Sequence, residues 1–307
     1  MSPFNLYVVH HFISGDAVYT GIACLILAVA WRHFHWKGGE RVVWTLVILG
    51  AACLMLSSSL MMNGGGFITE IVTLGWLLLG RSPQATKTTE VSSDHPRTTC
   101  SPKKSADSLL SLVVVLLWLF EGVLEFQWRQ MPELSAECRQ ASLVILGDSL
   151  TAGTGDEKTI LWPQRLHDQT GQEIVNWSEM GATVGSTLKK FPRKFPEKSL
   201  VIVELGGNDL LGNTSVHEFR QDLNNLLSQI TAEAGETLMF ELPLPPFSGG
   251  YGRAQRELAK KHKVKLIPKR VLTTVLLSND TTLDSIHLNQ SGHDQLANIV
   301  EQLLWKE

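Results

Sequence analysis

The run Leu143-Val144-Ile145-Leu146 carries no polar side chain and ends abruptly in Gly147-Asp148-Ser149-Leu150-Thr151-Ala152-Gly153. A short, continuous apolar run bounded by turn residues has the signature of a strand buried on both faces. A serine placed directly after it stands at the tip of a strand-to-helix turn. This restricts the fold, because a strand with two buried faces needs helices on both sides. The rest of residues 134–307 continues in the same manner. Glu173–Asn176, Leu200–Leu205, Thr237–Leu242 and Val264–Ile267 are expected as strands; Trp162–Gln169, Thr187–Phe195, Val216–Ala234, Arg253–His262 and Ser291–Trp305 are expected as helices. In the third of these helices Phe219, Leu223, Leu226, Leu227 and Ile230 recur at helical spacing. Alternation of this kind gives an α/β fold with a parallel sheet and right-handed crossovers. Ligands then bind outside the carboxyl ends of the strands.

Residues 1–133 are of a different kind. Long uncharged runs rich in Leu, Val, Ile, Met and Trp suggest an α-helical transmembrane region, with helices at 12–31, 42–62, 64–80 and 108–128 and a polar linker at 81–107. Most of these runs approach the length of about 20 residues that spans hydrocarbon. The segment 64–80 is the weakest: it opens with three glycines, carries Glu70, and is open to reading as a short span, a re-entrant segment or an interfacial helix. Arg32, Lys37 and Arg41 lie between the first two runs, and Arg81, Lys87, Arg97, Lys103 and Lys104 lie in the linker. Lys and Arg near span ends mark the cytoplasmic side. Four spans put both basic segments inside and residues 134–307 outside the cytoplasm, facing the periplasm if the membrane is a bacterial inner membrane. The first run lacks the basic start and small-residue exit of a cleaved leader. The region reads as an anchor, with Glu70 and Glu121 as the carboxylates to watch if it does more.

The hydrophobic fraction of 44% averages these two halves, and the net charge of −3, with no basic stripe, argues against a nucleic-acid partner. The four cysteines form no CxxC, there is no HExxH, and no metal or cofactor is called for. Cys24 and Cys53 read as small hydrophobes inside apolar runs. A Cys100–Cys138 disulfide would join residues that the four-span arrangement puts on opposite faces of the membrane.

The chemistry concentrates in four places. Ser149 is either a helix N-cap or a nucleophile. Asp284 and His287 are three residues apart, so the carboxylate can hold one imidazole nitrogen while the other faces Ser149, the orienter–base–nucleophile arrangement of a triad. His293 is the rival base, without an acid three residues before it. Gly181 follows Asn176-Trp177-Ser178-Glu179-Met180, and Gly206-Gly207-Asn208-Asp209 follows an expected strand. Either these merely end strands, or the N–H groups of Ser149 and Gly181 and the Asn208 amide form an oxyanion hole. Leu150, Leu210, Leu211 and Tyr251, the last within a glycine-rich Pro245–Arg253 loop, are candidate substrate-pocket or lid positions.

Leu-Gly-Asp-Ser-Leu-Thr-Ala-Gly, Val175-Asn176-x-Ser178-x-x-Gly181, Val203-Glu204-Leu205-Gly206-Gly207-Asn208-Asp209 and Asp284-x-x-His287-x-Asn289 together resemble the four blocks of the SGNH/GDSL hydrolases. Within that family they are closest to the bacterial thioesterase/lysophospholipase/arylesterase type. The resemblance covers about residues 142 to 305. It implies a flavodoxin-like three-layer sandwich of about five parallel strands. It also implies Ser149 as nucleophile, His287 as base, Asp284 as its partner, and Gly181 and Asn208 as oxyanion donors. Two features depart from the family: Leu288 stands where a proline commonly follows the histidine, and the membrane half is an addition. The expected activity is that of a membrane-anchored serine esterase hydrolysing acyl esters, thioesters or lysophospholipids without a cofactor. The alternatives are a deacetylase or O-acyltransferase on a cell-envelope polysaccharide and a non-catalytic binding module.

Overall fold

A computed structural model of the chain describes residues 3–34, 39–57, 64–79, 102–137, 141–190, 194–196, 198–212, 214–278, 280–284 and 286–305. Cys100, Cys138 and most of the expected linker lie outside them. The chain divides into two compact units, one built from Val18–Met55 and Met61–Phe126, the other from Gln127–Glu307 together with the first helix.

The first unit holds α2 (Ala17–His33), α3 (Gly39–Leu56), α4 (Gly64–Leu79) and α5 (Pro102–Phe126). Its interior packs Val18, Ile22, Leu25, Trp76, Val114 and Trp118, while Ile48, Met55, Leu79 and Val123 face outward and are exposed. Large apolar side chains on the outside suit hydrocarbon rather than water. Two helical stretches, Gly39–Leu56 and Asp107–Arg129, are long and apolar enough to cross a membrane. A third is added if α1 (Pro3–Ile13) and α2 count as one broken span. The expected continuous helix 12–31 is thus interrupted at residues 14–16, where Ser14-Gly15-Asp16 form a turn. The segment expected at 64–80 forms a helix of 16 residues, short of the roughly 20 needed to span. Interior polar groups are paired: the Trp118 indole donates to Thr73 Oγ1 at 2.9 Å, the Trp76 indole to Ser111 Oγ at 2.9 Å, and Thr69 to Glu121 Oε1 at 3.3 Å. Glu70 is exposed.

The second unit is a five-stranded parallel sheet of β1 (Leu143–Gly147), β2 (Ile174–Asn176), β3 (Leu200–Glu204), β4 (Glu236–Phe240) and β5 (Lys265–Ile267), ordered β2-β1-β3-β4-β5. Every residue of β1 and β3 is buried. The strands split their side chains by alternation between two cores. Val144, Leu146, Val201, Val203 and Met239 meet α10 (Val216–Glu233) and α11 (Gly249–His262). Leu143, Ile145, Leu200, Ile202 and Phe240 meet α7 (Trp162–Thr170), α12 (Lys269–Leu277) and α13 (Gln290–Trp305). Helices on both faces make the three layers that the alternating pattern implies.

Three elements differ from expectation. The connection expected as a helix from Thr187 starts three residues earlier, as α8 (Val184–Lys190). The helix α11 begins at Gly249, so Gly249–Arg253 is its first turn and not a loop. The helix α12 was not expected. Its Pro268 supplies the fixed entry, and Val271, Leu272 and Val275 bury against the sheet. The order 2-1-3-4-5 reverses between β1 and β3, and in open α/β sheets the ligand crevice lies outside the carboxyl ends at that reversal.

Candidate active site

Both strands at the reversal deliver a short helix. After β1, Asp148 caps α6 (Ser149–Ala152): its Oδ1 accepts the Leu150 N–H at 3.0 Å. After β3, α9 (Gly207–Leu211) opens with Asn208 in its first turn. The first N–H groups of a helix have no intrahelical partner. Ser149, at the first position of α6, is 9% exposed. Gly147 must be glycine, because a Cβ there would come within 2.5 Å of Thr151 Oγ1.

After β2 the chain is laced to β1: Trp177 N–H donates to Ile145 O at 2.8 Å and Glu179 N–H to Gly147 O at 3.1 Å. Two residues on, Gly181 has φ of +75°, a left-handed conformation that favours glycine. Among the described residues, no acceptor meets the N–H of Ser149 or of Gly181. The Asn208 amide donates to Ala182 O at 3.0 Å and to Asp148 Oδ2 at 3.3 Å, joining the β2 turn to the β1 turn. Asp209 strengthens the junction by accepting the Val184 N–H at 2.9 Å.

The last loop carries the candidate acid–base pair. Asp284 Oδ2 and His287 Nδ1 are 2.7 Å apart, and Asp284 Oδ1 accepts the His287 N–H at 2.9 Å and the Ile286 N–H at 3.2 Å. The side-chain bond to His287, with the backbone bonds behind it, pulls the Asp284 carboxyl down to about 2, so it is ionised at any working pH. The loop is braced by Leu283 N–H to His287 O at 2.8 Å and by Asn289 N–H to Thr281 O at 3.0 Å. His287 also lies near enough to Asp148 for its charge to favour the Asp148 carboxylate. Asp148 is therefore the point on which the parts converge: Ser149 follows it in the chain, Asn208 binds it, and His287 acts on it.

A profile described as the GDSL-like lipase/acylhydrolase family matches residues 145–295. Thioesterase 1/protease 1/lysophospholipase L1 of Escherichia coli K12 is 33% identical over 168 residues, covering 51% of this chain and 79% of the relative. The chain belongs to the GDSL-like lipase/acylhydrolase family. Esterase TesA of Pseudomonas aeruginosa is 28% identical over 147 residues, 44% of this chain and 73% of the relative. The arylesterase of Vibrio mimicus is 28% identical over 179 residues, 53% and 88%.

For this GDSL-family hydrolase the other sequence candidates fall as follows. Leu150 packs partly against the core beneath α7 and α13, and Leu210 against the core on the other face. Leu211, the last residue of α9, is 66% exposed. Tyr251 packs on Phe219, with ring centroids 5.1 Å apart, and its hydroxyl donates to Thr214 O at 2.5 Å. His293, the rival base, is buried on α13; its Nδ1 accepts the Trp162 N–H at 3.3 Å, and burial pushes its pKa down to about 4. Sequence reasoning missed the floor of the site. Glu204, at the end of β3, is 2% exposed and accepts the Thr151 hydroxyl at 2.9 Å. Burial, and then the charge of Asp148, pushes its pKa well above the carboxylate range; burial pushes that of Asp148 up to about 6. The available signal was one carboxyl in an otherwise apolar buried strand.

Proposed function

We propose that the chain is a membrane-anchored serine esterase that cleaves acyl esters, lysophospholipids or thioesters through an acyl-enzyme, with residues 134–307 as its catalytic half and residues 1–133 as its anchor. The observation that carries this reading is the 2.7 Å contact between Asp284 Oδ2 and His287 Nδ1, with His287 close enough to Asp148, the residue before Ser149, to act on its charge. An ionised Asp284 holds the proton on Nδ1, which leaves Nε2 as the acceptor. His287 takes the Ser149 hydroxyl proton as Oγ attacks the acyl carbonyl. The Ser149 and Gly181 N–H groups and the Asn208 amide receive the developing oxyanion. Asn208 is free to do so because its bond to Asp148, at 3.3 Å, is long and competes poorly with a full oxyanion. His287 returns its proton to the leaving alkoxide or thiolate. It then removes a proton from water as the water oxygen attacks the acyl carbon, and passes that proton to Ser149 Oγ as the Oγ–acyl bond breaks and the acid leaves. No step calls for a metal or cofactor.

The relatives' names, which include thioesterase, lysophospholipase and arylesterase, support an acyl substrate for this chain too. The test is turnover by the full-length chain in detergent on chromogenic esters from acetyl to palmitoyl. Ser149→Ala is expected to lower kcat/KM by roughly 10³-fold or more. Turnover that survives the substitution sinks the serine mechanism, and preference for acetyl esters alone replaces the lipid substrate with an acetylated glycan. The Lys and Arg of the membrane half favour a catalytic half outside the cytoplasm, an orientation that requires Gly64–Leu79 to cross the membrane as a fourth span. A periplasm-dependent phosphatase fused after Glu307 should therefore be active; an inactive fusion overturns that orientation.

A further inference from the structure

Glu204 ends β3 directly opposite Gly147, the last residue of β1. A carboxyl this deeply buried is held by its neighbours or it destabilises the fold. Thr151 Oγ1 donates to its Oε2 at 2.9 Å, the Asp148 backbone N–H reaches the same oxygen at 3.3 Å, and the Glu204 and Asp148 side chains share a hydrogen bond. Thr151 in turn accepts the Trp162 indole N–H at 3.2 Å, and the Trp162 backbone N–H ends on His293. From Asp148 the bonds continue to the Leu150 N–H and to the Asn208 amide. One chain of hydrogen bonds therefore runs from α13 through Trp162, Thr151 and Glu204 to Asp148. There it divides between the turn that presents Ser149 and the side chain beneath the oxyanion site.

We propose that Glu204 is a positioning residue of the ester-hydrolysing site: by fixing Asp148 it sets the Ser149 turn and the direction of the Asn208 amide. The proposal rests on the reading of Ser149 as nucleophile. Burial and the neighbouring Asp148 disfavour an ionised Glu204, so in the shared bond Glu204 is the donor and the Asp148 carboxylate the acceptor. Other charges bear on the pair: Asp209 of α9, with Asp222 of α10 beyond it, disfavours ionised Asp148. His287, held by Asp284, favours it, and His293 stands neutral behind Trp162. The donor on Glu204 lowers the Asp148 pKa against the pull of burial. Removing that donor raises the pH at which Asp148 becomes charged and loosens the turn it caps.

The test measures kcat, KM and their pH dependence on one chromogenic acyl ester with the full-length chain in detergent, beside the rate of covalent labelling by a fluorophosphonate. Glu204→Gln retains a donor for Asp148 and an acceptor for Thr151, and is expected to keep kcat within about threefold and the acid limb in place. Glu204→Ala is expected to lower kcat by about 10²-fold with KM within about twofold, because misplacement near the reacting atoms costs that much without weakening binding. It should slow labelling in proportion and move the acid limb to higher pH. Thr151→Val keeps the shape and removes the hydroxyl, so it decides the matter even if the alanine variant does not fold: kcat should fall about tenfold at constant KM. An unchanged kcat in Thr151→Val, a glutamine variant as impaired as alanine, or an equal loss at every pH overturns the proposal. Ser149→Ala run in parallel separates the two readings. Turnover surviving there removes the serine mechanism itself, whereas turnover lost there with the Glu204 and Thr151 variants unaffected removes only the role of Glu204.

Discussion

The last loop and the floor of the site use the same residue types under opposite conditions. In the loop the Asp284 side chain is 53% exposed, yet its carboxyl is pulled down to about 2 by bonds to His287. On the floor Asp148 and Glu204 are buried and both are pushed up. His287 is paired to a carboxylate and reachable from solvent, while His293, six residues on, is buried with its Nδ1 given to a backbone N–H. Residue identity alone assigns no role here. Hydration and hydrogen-bond partners decide which carboxyl is an ion, and which histidine is available as the proposed base and which is a packing group.

The sharpest way to break this comparison is to exchange the fates of the two histidines. His287→Ala is expected to cost at least about 10³-fold in kcat/KM with little change in thermal stability. His293→Asn retains an acceptor for the Trp162 N–H and should keep kcat within about threefold; a loss as large as that of His287→Ala would make His293 the base. Next in size is Asn208, which joins the floor to the oxyanion site. Asn208→Ala should lower kcat by roughly 10²-fold while KM moves little, and a loss confined to KM would remove it from the oxyanion hole.

The smallest effect is on stability against pH, where the two buried groups pull in opposite directions. The His293 pKa falls from 6.5 to about 4 in the fold, so its contribution is present above pH 6.5 and is lost as pH drops through 4. The Asp148 pKa rises from 3.8 to about 6, so its contribution is present below pH 3.8 and is lost as pH climbs through 6. Each is worth on the order of 3 kcal/mol across its window. Relative to wild type, His293→Asn should make Tm fall more steeply with rising pH over that interval, and Asp148→Asn should make it rise. Parallel curves for all three proteins would show that neither group is buried as described.

Much of this was legible in the residues. The strands β1 and β3 were readable because burial on both faces leaves no polar break except at Glu204. The spacing of Asp284 and His287 identified a pair that local backbone geometry alone can bring together. The start of α11 was hidden by Gly249, Gly250 and Gly252, which argue for a loop until Gln255, Leu258 and Ala259 are seen buried against the sheet. The helix α12 was hidden by its valines and threonines, whose intrinsic preference is for strands. The partnership of Glu204 with Asp148 and Thr151 could not be read at all, because it depends on the register that sets Gly147 against Glu204. A register is a property of two distant segments, and neither segment declares it.

Asp284 and His287 belong to one braced loop, while Ser149 belongs to a different part of the chain. The acid and base therefore form a single mechanical piece. On the proposed mechanism, displacing that loop changes how far His287 stands from Ser149 but leaves His287 and its counter-ion Asp284 paired. Under that mechanism, a motion of the loop would alter the reach of the base without any rearrangement of the pair.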